Sequence, residues 1–571
     1  MTPAMKKTNN LLQKHFDTAL ESPDGIKKLR ELILTLAMQG KLVPQDPNDP
    51  PASQLLKEIQ AEKERLIAEG KIKKQKVLPE IKPEEVPYEV PEGWVWTRLG
   101  EVSHVIAGYS FNSQHFKLNE GVKCIKITNA GVHEFIETKD RLPIDFLEKY
   151  SNFIVNKSDL IIALTRPFIK NGLKICSCPI SYHKSLLNQR VAAIKGTINK
   201  TGYLFSYLKS KIVLKVYQNR FGDIGLQPNL KMNDITELFI PLPPLAEQKR
   251  IVARIDELMA LCDKLEEQRA NRDQKCLAVH ASAINRLLTA ADKNEFHSSW
   301  QFITRHFDPL YSVKENVAEL KKAILTLAMQ GKLVTQDPND PPASQLLKEI
   351  QAEKERLIAE GKIKKQKALP EIKPEDVPYE VPEGWVPVRL GEIGFWKSGS
   401  TPSRTNSKYY GGGIPWVKSG EVKQGRISST METITKEALE KCSLSINDKG
   451  SVLVAMYGAN IGEVGILDIE ATTNQAVCAC KTYSQFNENY LLNLITSLKP
   501  YFIQQGAGAA QPNISREKII ATPIMLPPLA EQKRIVAKID ELMTLCDKLE
   551  NQINLATKKQ TALFNAVLAK V

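Results

Sequence analysis

ILTLAMQGKLV occupies residues 33–43 and returns unchanged at residues 324–334. The match continues outward on both sides. QDPNDPPASQLLKEIQAEKERLIAEGKIKKQK lies at 45–76 and 336–367, PYEVPEGW at 87–94 and 378–385, and RLGE at 98–101 and 389–392. Every pair, such as Trp94 and Trp385, stands 291 residues apart. A second unit, PLAEQKRIVA with the helix that follows, sits at 244–253 and again at 528–537, 284 residues apart. The chain therefore reads first unit, unrepeated block 102–239, second unit, first unit, unrepeated block 393–524, second unit. Self-similarity of this kind takes precedence over local propensities when fold class is read.

Local patterning gives the frame its elements. Ile26, Leu29, Ile33, Leu36 and Ala37 follow helical spacing, and Gly40 is placed to end that helix. The turn Asp46–Pro51 leads to a second helix near Ser53, with Leu55, Leu56, Ile59, Leu66 and Ile67 on its face and a stop at Gly70. Lys71, Lys73, Lys74 and Lys76 form its solvated exit, and the Pro-rich run to Pro91 is extended. Trp94 and Trp385 are expected as buried anchors where the chain enters each block. The frame also starts earlier than the longest match, since His15–Phe16–Asp17 pairs with His306–Phe307–Asp308. After each block, Ile251, Ile255, Leu258, Cys262 and Leu265 define a heptad seam, copied as Ile535, Ile539, Leu542, Cys546, Leu549 and Ile553 and extended to Ala556, Leu563 and Val567. The first of these helices is expected over 251–288.

The blocks show short β-type runs such as 160–164 and 452–456, and a helix expected over Tyr203–Gln218. Sparse likeness marks them as diverged copies of one fold: Lys126 with Lys418, Asn188–Gln189 with Asn474–Gln475, and Gln227–Pro228–Asn229 with Gln511–Pro512–Asn513. The expected fold class is α+β: two globular mixed α/β domains separated by two long helices that form an antiparallel coiled coil, with a pseudo-two-fold internal repeat. Residues 1–93 would meet 526–571 to close it. The expected boundaries are a helical repeat unit at 1–93, a first head at 94–244, a spacer helix at 245–292, a central repeat unit at 293–384, a second head at 385–528 and a second spacer helix at 529–571.

Composition limits the function. In 571 residues with a net charge of +13, no apolar run is long enough to span a bilayer, and the start MTPAMKKTNN lacks the core of a signal peptide, so the cytoplasm is the expected location and no membrane is a partner. The nine cysteines, including Cys176 with Cys178 and Cys478 with Cys480, have core rather than disulfide or zinc spacing. Residues 102–239 carry 19 Lys and Arg against 10 Asp and Glu, and residues 393–524 carry 13 against 10, so the surplus lies in the heads and points to nucleic acid.

Catalytic machinery is missing from the pattern. No phosphate-binding G-x-x-x-x-G-K-[ST] occurs. Asp49–Pro50–Pro51–Ala52 and its twin at 340–343 lack the aromatic ring that a base-flipping methyltransferase stacks on its target, and read as helix-starting turns. Glu247–Gln248–Lys249 and Glu531–Gln532–Lys533 carry a nuclease-like E-x-K without an upstream metal-binding Asp, and read as surface residues. The expectation is no catalytic residue, no metal and no cofactor. A stand-alone methyltransferase or nuclease, and a helical scaffold whose basic heads bind another partner, are the competing classes.

Two unlike heads suit two unlike DNA sequences. Residues shared by both heads cannot explain a difference in target, so they are framework or phosphate contacts; Lys126 and Lys418 belong here. Polar residues that differ are the readout candidates: Tyr109, Asn112, Gln114, His115 and Arg166 in the first head, with Lys170 as a further basic contact, and Ser400, Thr401, Arg404, Asn406, Tyr457 and Asn460 in the second.

With the duplicated ILTLAMQGKLV and QDPNDPPASQLL, VPEGW at 90–94 and 381–385, the PLPPLAEQKRIV exit and the heptad helices, the chain resembles the specificity subunit of a type I restriction-modification enzyme. The resemblance implies two target recognition domains on an antiparallel helical spacer, each reading half of a bipartite site in double-stranded DNA. It also implies two methyltransferase subunits docked on the spacer, which use S-adenosylmethionine on adenines, and two restriction subunits that translocate and cleave with ATP. The chain itself would supply recognition without catalysis.

Overall fold

The computed structural model describes residues 22–117, 120–169, 172–198, 201–221, 228–377, 382–423, 425–506 and 512–568. His15–Phe16–Asp17, Lys170, Gln227, Gln511 and part of the second PYEVPEGW copy lie outside them. The chain forms two compact units, residues 1–271 with 556–571, and residues 272–555.

In the first unit the helices Gly25–Met38 and Ala52–Ala68 form as their spacing predicts. Ile26, Leu29, Ile33, Leu36 and Ala37 are all buried. Gly40 ends the first helix at φ +68°, where a Cβ would strike the Pro91 ring at 2.3 Å, so only glycine serves both the left-handed stop and the close approach. The turn at Asp49 starts the second helix, with Pro51 as its N-cap. Its twin in the second unit repeats each feature: Lys314–Met329, Ala343–Ala359 and Gly331 at φ +68° against Pro382.

The second repeated unit locks onto the first. The Trp94 indole N–H donates to Glu247 Oε2 at 3.0 Å, Gln45 donates to Glu247 Oε1 at 3.1 Å, and Arg250 pairs with Asp49 at 2.6 Å. Within the second unit the same bonds join Trp385 and Gln336 to Glu531, at 3.0 and 3.1 Å, and Arg534 to Asp340 at 2.6 Å. Glu247, Gln248, Glu531 and Gln532 are therefore buried, which corrects the reading of these motifs as surface residues; only Lys249 and Lys533 of each triplet face solvent. A carboxylate inside the frame is tolerated because the indole and the amide satisfy it.

The long helices run Leu245–Leu288, 44 residues or roughly 66 Å, and Leu529–Leu568. The first unit contains the start of one and the end of the other: Ser22 bonds Thr561 and Lys28 donates to Asn565 at 2.9 Å, so the expected approach of the two chain ends occurs inside this unit. The heptad seam holds from Ile535 to Ile553 and then steps by one residue. Ala556 and Leu563 are exposed, while Thr557 is half-buried and Phe564 is 4% exposed. The first helix steps at the same place, from Leu265 through Arg269 and Asp273 to buried His280. A strict seven-residue repeat drifts against a 3.6-residue turn, and one four-residue step restores the stripe. The side chain of Val567 lies outside the described residues.

Each head is grafted on through a pair of antiparallel strands, Val95–Arg98 with Phe239–Leu242 in the first and Val386–Arg389 with Pro523–Leu526 in the second. Entrance and exit are thus neighbours, and behind them frame and head share one core, in which Ile26, Leu29 and Ile33 join Tyr203, Leu204 and Tyr207. Arg98 and Arg389 fix these junctions by donating to backbone carbonyls of Pro79 and Glu237, and of Pro370 and Ala521. In the first head the main sheet has the order Ser103–Ala107, Val191–Gly196, Leu160–Ala163, Ile175–Ser177; in the second, Gly394–Ser398, Val477–Thr482, Val452–Ala455, Val464–Leu467, Arg426–Ile427. A smaller sheet accompanies each. Cys176, Cys178, Cys478 and Cys480 are buried among these strands, and burial pushes the thiols of Cys176, Cys178 and Cys478 up to about 12. The helix expected over Tyr203–Gln218 is two, Thr201–Leu208 and Lys211–Phe221. Ser210 starts the second by accepting from the Leu214 N–H, a restart that the uninterrupted apolar pattern does not signal.

Candidate nucleic-acid interface

Four short segments meet at one corner of each head. In the first, Gly108–Tyr109 lies beside Leu187–Val191, which lies beside Leu164–Arg166, which lies beside Pro228–Leu230. The bonds run from Gly108 N to Val191 O, Tyr109 N to Leu187 O, Gln189 N to Tyr109 O, Leu164 N to Arg190 O, Leu230 N to Leu164 O and Arg166 N to Pro228 O, all between 2.8 and 3.0 Å. The second head repeats the corner with Gly399–Ser400, Thr473–Val477, Met456–Gly458 and Pro512–Ile514. Gly399 N bonds Val477 O, Ser400 N bonds Thr473 O, Met456 N bonds Ala476 O, Ile514 N bonds Met456 O and Gly458 N bonds Pro512 O.

This platform accounts for the shared residues. Asn188 and Asn474 tie the turn to the smaller sheet through Ile125 O and Val417 O. Their side-chain carbonyls close the turn by accepting from Gln189 N and Ala476 N. Pro228 and Pro512 offer the carbonyl that holds the outer segment. Gly108 and Gly399 are required by closeness, since a Cβ would lie 1.8 Å from Asn188 O in one and 2.1 Å from Thr473 O in the other. Lys126 and Lys418 are also framework: Lys126 pairs with Asp140 at 3.0 Å and Lys418 with Glu432 at 2.6 Å, each partner 14 residues along the chain.

The candidates that differ occupy equivalent places on the platform. Tyr109 corresponds to Ser400, Thr165 to Tyr457, and Arg166 to Gly458. Tyr109 is 39% exposed and caps an aromatic cluster, with ring centroids 5.1 Å from Phe111, 4.7 Å from Tyr150 and 5.3 Å from Phe153. The Tyr150 hydroxyl beside it raises its phenol above the usual range. His115 stacks edge-on to Phe146 of the same cluster at 5.2 Å, and Gln114 is exposed next to it. In the second head Thr401 bonds Gln475, Tyr457 is 43% exposed, and Asn460 sits half-buried in the turn that follows.

Three further candidates have committed side chains. Asn112 and Asn406 cap equivalent turns by accepting from Gln114 N at 3.0 Å and Lys408 N at 3.2 Å, so they are a shared feature and not a difference between the heads. Arg404 pairs with Glu432 at 2.7 Å and lies over the Tyr410 and Trp416 rings, 4.5 and 5.2 Å from their centroids. The Arg404 guanidinium, with Lys418, holds the Glu432 carboxyl at about 2. Arg190, which follows the shared Asn188–Gln189, is exposed on the platform. Arg190 is absent from the readout candidates above; its signal in the sequence is the residue after each Asn–Gln pair, Arg190 against Ala476.

A family model described as the type I restriction modification DNA specificity domain matches residues 91–272 and 382–558. The type I restriction enzyme EcoAI specificity subunit of Escherichia coli is 34% identical over 567 residues, covering 95% of this chain and 93% of that protein. The EcoEI specificity subunit of Escherichia coli is 32% identical over 568 residues, with the same coverage of 95% and 93%. Among solved structures, the HsdS subunit from Thermoanaerobacter tengcongensis matches with a TM-score of 0.44 at 19% identity, over 85% of this chain and 97% of its own.

Proposed function

Because this chain belongs to the type I restriction-modification DNA specificity family, with two copies of the specificity domain, we propose that its two heads read the two halves of a bipartite site in double-stranded DNA. The observation that carries this reading is a single backbone platform built twice, bearing unlike residues each time: exposed Tyr109, Arg166 and Arg190 in one head, and half-buried Ser400, exposed Gly458 and buried Ala476 in the other. Side chains that reach base edges specify, and the surplus Lys and Arg of the heads supplies phosphate contacts. Gln114, His115, Thr401, Tyr457 and Asn460 extend the readout surface, with Lys170, outside the described residues, as a further basic contact; Lys126, Asn112, Arg404, Asn406 and Lys418 support it through their own side-chain bonds. Boundaries at 94–244 and 385–528 assign one head to each half-site.

The duplicated frame and the exposed faces of the long helices form two equivalent docking surfaces for two methyltransferase subunits, and two restriction subunits join the full complex. Two matched surfaces in one chain support two copies of a partner. The chain contributes no reaction of its own, and the cytoplasm, where the DNA is, is its place of action; among the described residues no helix is long and apolar enough to cross a membrane. Mobility-shift competition at moderate salt tests the reading: a specific duplex is expected to outcompete random DNA by at least about 1,000-fold. Replacing residues 102–239 with the corresponding block of a relative is expected to change one half-site and spare the other. Change in both, or in neither, defeats the assignment.

A further inference from the structure

Six non-glycine residues among those described have a left-handed backbone, and two of them, Arg166 at φ +49° and Arg190 at φ +68°, lie on the platform of the first head. The segments that carry them are adjacent, because Leu164 N bonds Arg190 O at 2.8 Å and the strands behind them pair Val191 with Ala163. Both side chains are exposed, and neither guanidinium has a carboxylate or other side-chain partner among the described residues. Three other basic groups of this head are engaged: Lys126 with Asp140, Arg220 with Asp234, and Lys195 with the Ile154 carbonyl. The second head has Gly458 and Ala476 at these two places, and Ala476 is buried.

A left-handed backbone at a non-glycine residue sets the direction in which its side chain leaves the chain, and a guanidinium with no partner among the described residues is a group presented to a ligand. Resting on the reading of the heads as DNA readers, we propose that Arg190 and Arg166 are a guanine-reading pair, so that the half-site of the first head contains guanine at positions whose discrimination the second head does not share. The fork of N–H donors matches the O6 and N7 acceptors of guanine in the major groove; lysine reaches the same acceptors only through a single ammonium on a flexible stem, without the fixed fork. The Tyr109 backbone is bonded to the turn that carries Arg190, through Leu187 O and Gln189 N.

The test uses the full-length chain, with its methyltransferase partners where binding requires them, on the preferred duplex and on duplexes with each base pair replaced in turn. Wild type, Arg166→Lys, Arg190→Lys and the double alanine variant are compared for affinity and salt dependence, with thermal unfolding as the folding control. The expected result for wild type is a preference for guanine of roughly 5- to 140-fold at each contacted position. Each lysine variant is expected to lose that preference at one position while keeping the salt slope and the discrimination of the other half-site. Three results overturn the inference alone: full guanine discrimination in both lysine variants, a first half-site without guanine at the affected positions, or a sequence-independent loss in the alanine variant with the salt slope reduced by about one per arginine, which marks phosphate contacts. A wild-type chain that prefers no duplex sequence overturns the underlying function instead.

Discussion

The two heads differ least where their backbones cross and most where their side chains emerge from that crossing. Gly108 and Gly399, Asn188 and Asn474, and Pro228 and Pro512 hold the same four segments in the same order, while Tyr109 faces Ser400's place, Arg166 faces that of Gly458, and Arg190 that of Ala476. The frames below the heads differ hardly at all: the buried Trp94–Glu247 and Trp385–Glu531 bonds have the same length, 3.0 Å. The division teaches how such a chain can change its target. Paired entrance and exit strands bring both ends of the head to one place on the frame, and the platform holds the readout positions on a backbone common to both heads.

The largest expected effect comes from breaking one platform and not the other. Gly108→Ala sets a methyl group 1.8 Å from Asn188 O, against backbone that cannot rotate away. Tyr109 and the turn at Gln189–Arg190 must separate, and binding to the first half-site is expected to fall on the order of 100-fold, about 3 kcal/mol. Gly399→Ala should do the same to the second half-site alone. Competition with duplexes altered in one half-site measures both. Equal loss at both half-sites from either variant would mean that the platforms are not independent.

Breaking the frame should act on stability. Glu247→Ala leaves the Trp94 indole N–H buried without an acceptor and leaves the Gln45 amide only its bond to the Gly40 carbonyl, at a cost of about 2–3 kcal/mol. Glu531→Ala removes the matching bonds to Trp385 and Gln336, so calorimetry should return the same loss in its own unit. Unequal losses would show that twin sequences do not make twin energetics. A smaller effect belongs to the shared lysines. Lys126→Ala and Lys418→Ala each break a part-exposed ion pair, expected to change stability by about 1 kcal/mol or less and to leave base preference unaltered in both half-sites.

The frame was legible because duplication isolates it: helical spacing, Gly40, Trp94 and the heptad seam are local signals, written twice. What sequence spacing missed depended on contacts between distant segments. Glu247 and Glu531 are polar and stand at a helix start, which reads as surface until Trp94 and Trp385 supply their donors from about 150 residues away. The seam beyond Ile553 follows a straight helix rather than a strict heptad, so Phe564 is buried in place of Leu563. In the heads, pairing shared residues located the platform, yet Asn112 and Asn406, with only Ser113 and Ser407 shared beside them, are equated by the matching caps at Gln114 N and Lys408 N alone. Arg190 was hidden for the opposite reason, lying one residue past a shared pair.

The smallest expected effect compares the two frames by pH. Burial raises the Glu247 and Glu531 carboxyls above the ordinary value of 4.5, against the pull of their Trp and Gln donors. Below the ordinary value both the folded and the unfolded states are protonated, and these groups cost nothing. As pH rises from 4.5 through the raised folded values, the unfolded chain loses its protons first, so the contribution of these groups to stability falls and then levels. Glu247→Gln and Glu531→Gln keep an acceptor for the indole and remove the titration. Each variant should therefore gain on wild type as pH rises from about 4.5 toward 7, by an increment of well under the alanine loss, while the many carboxylates common to both proteins cancel in the difference. Matching curves for the two variants would extend the equivalence of the frames to their protonation, and a difference that is flat with pH, or that shrinks as pH rises, would show that the buried carboxyls are already ionised at no cost.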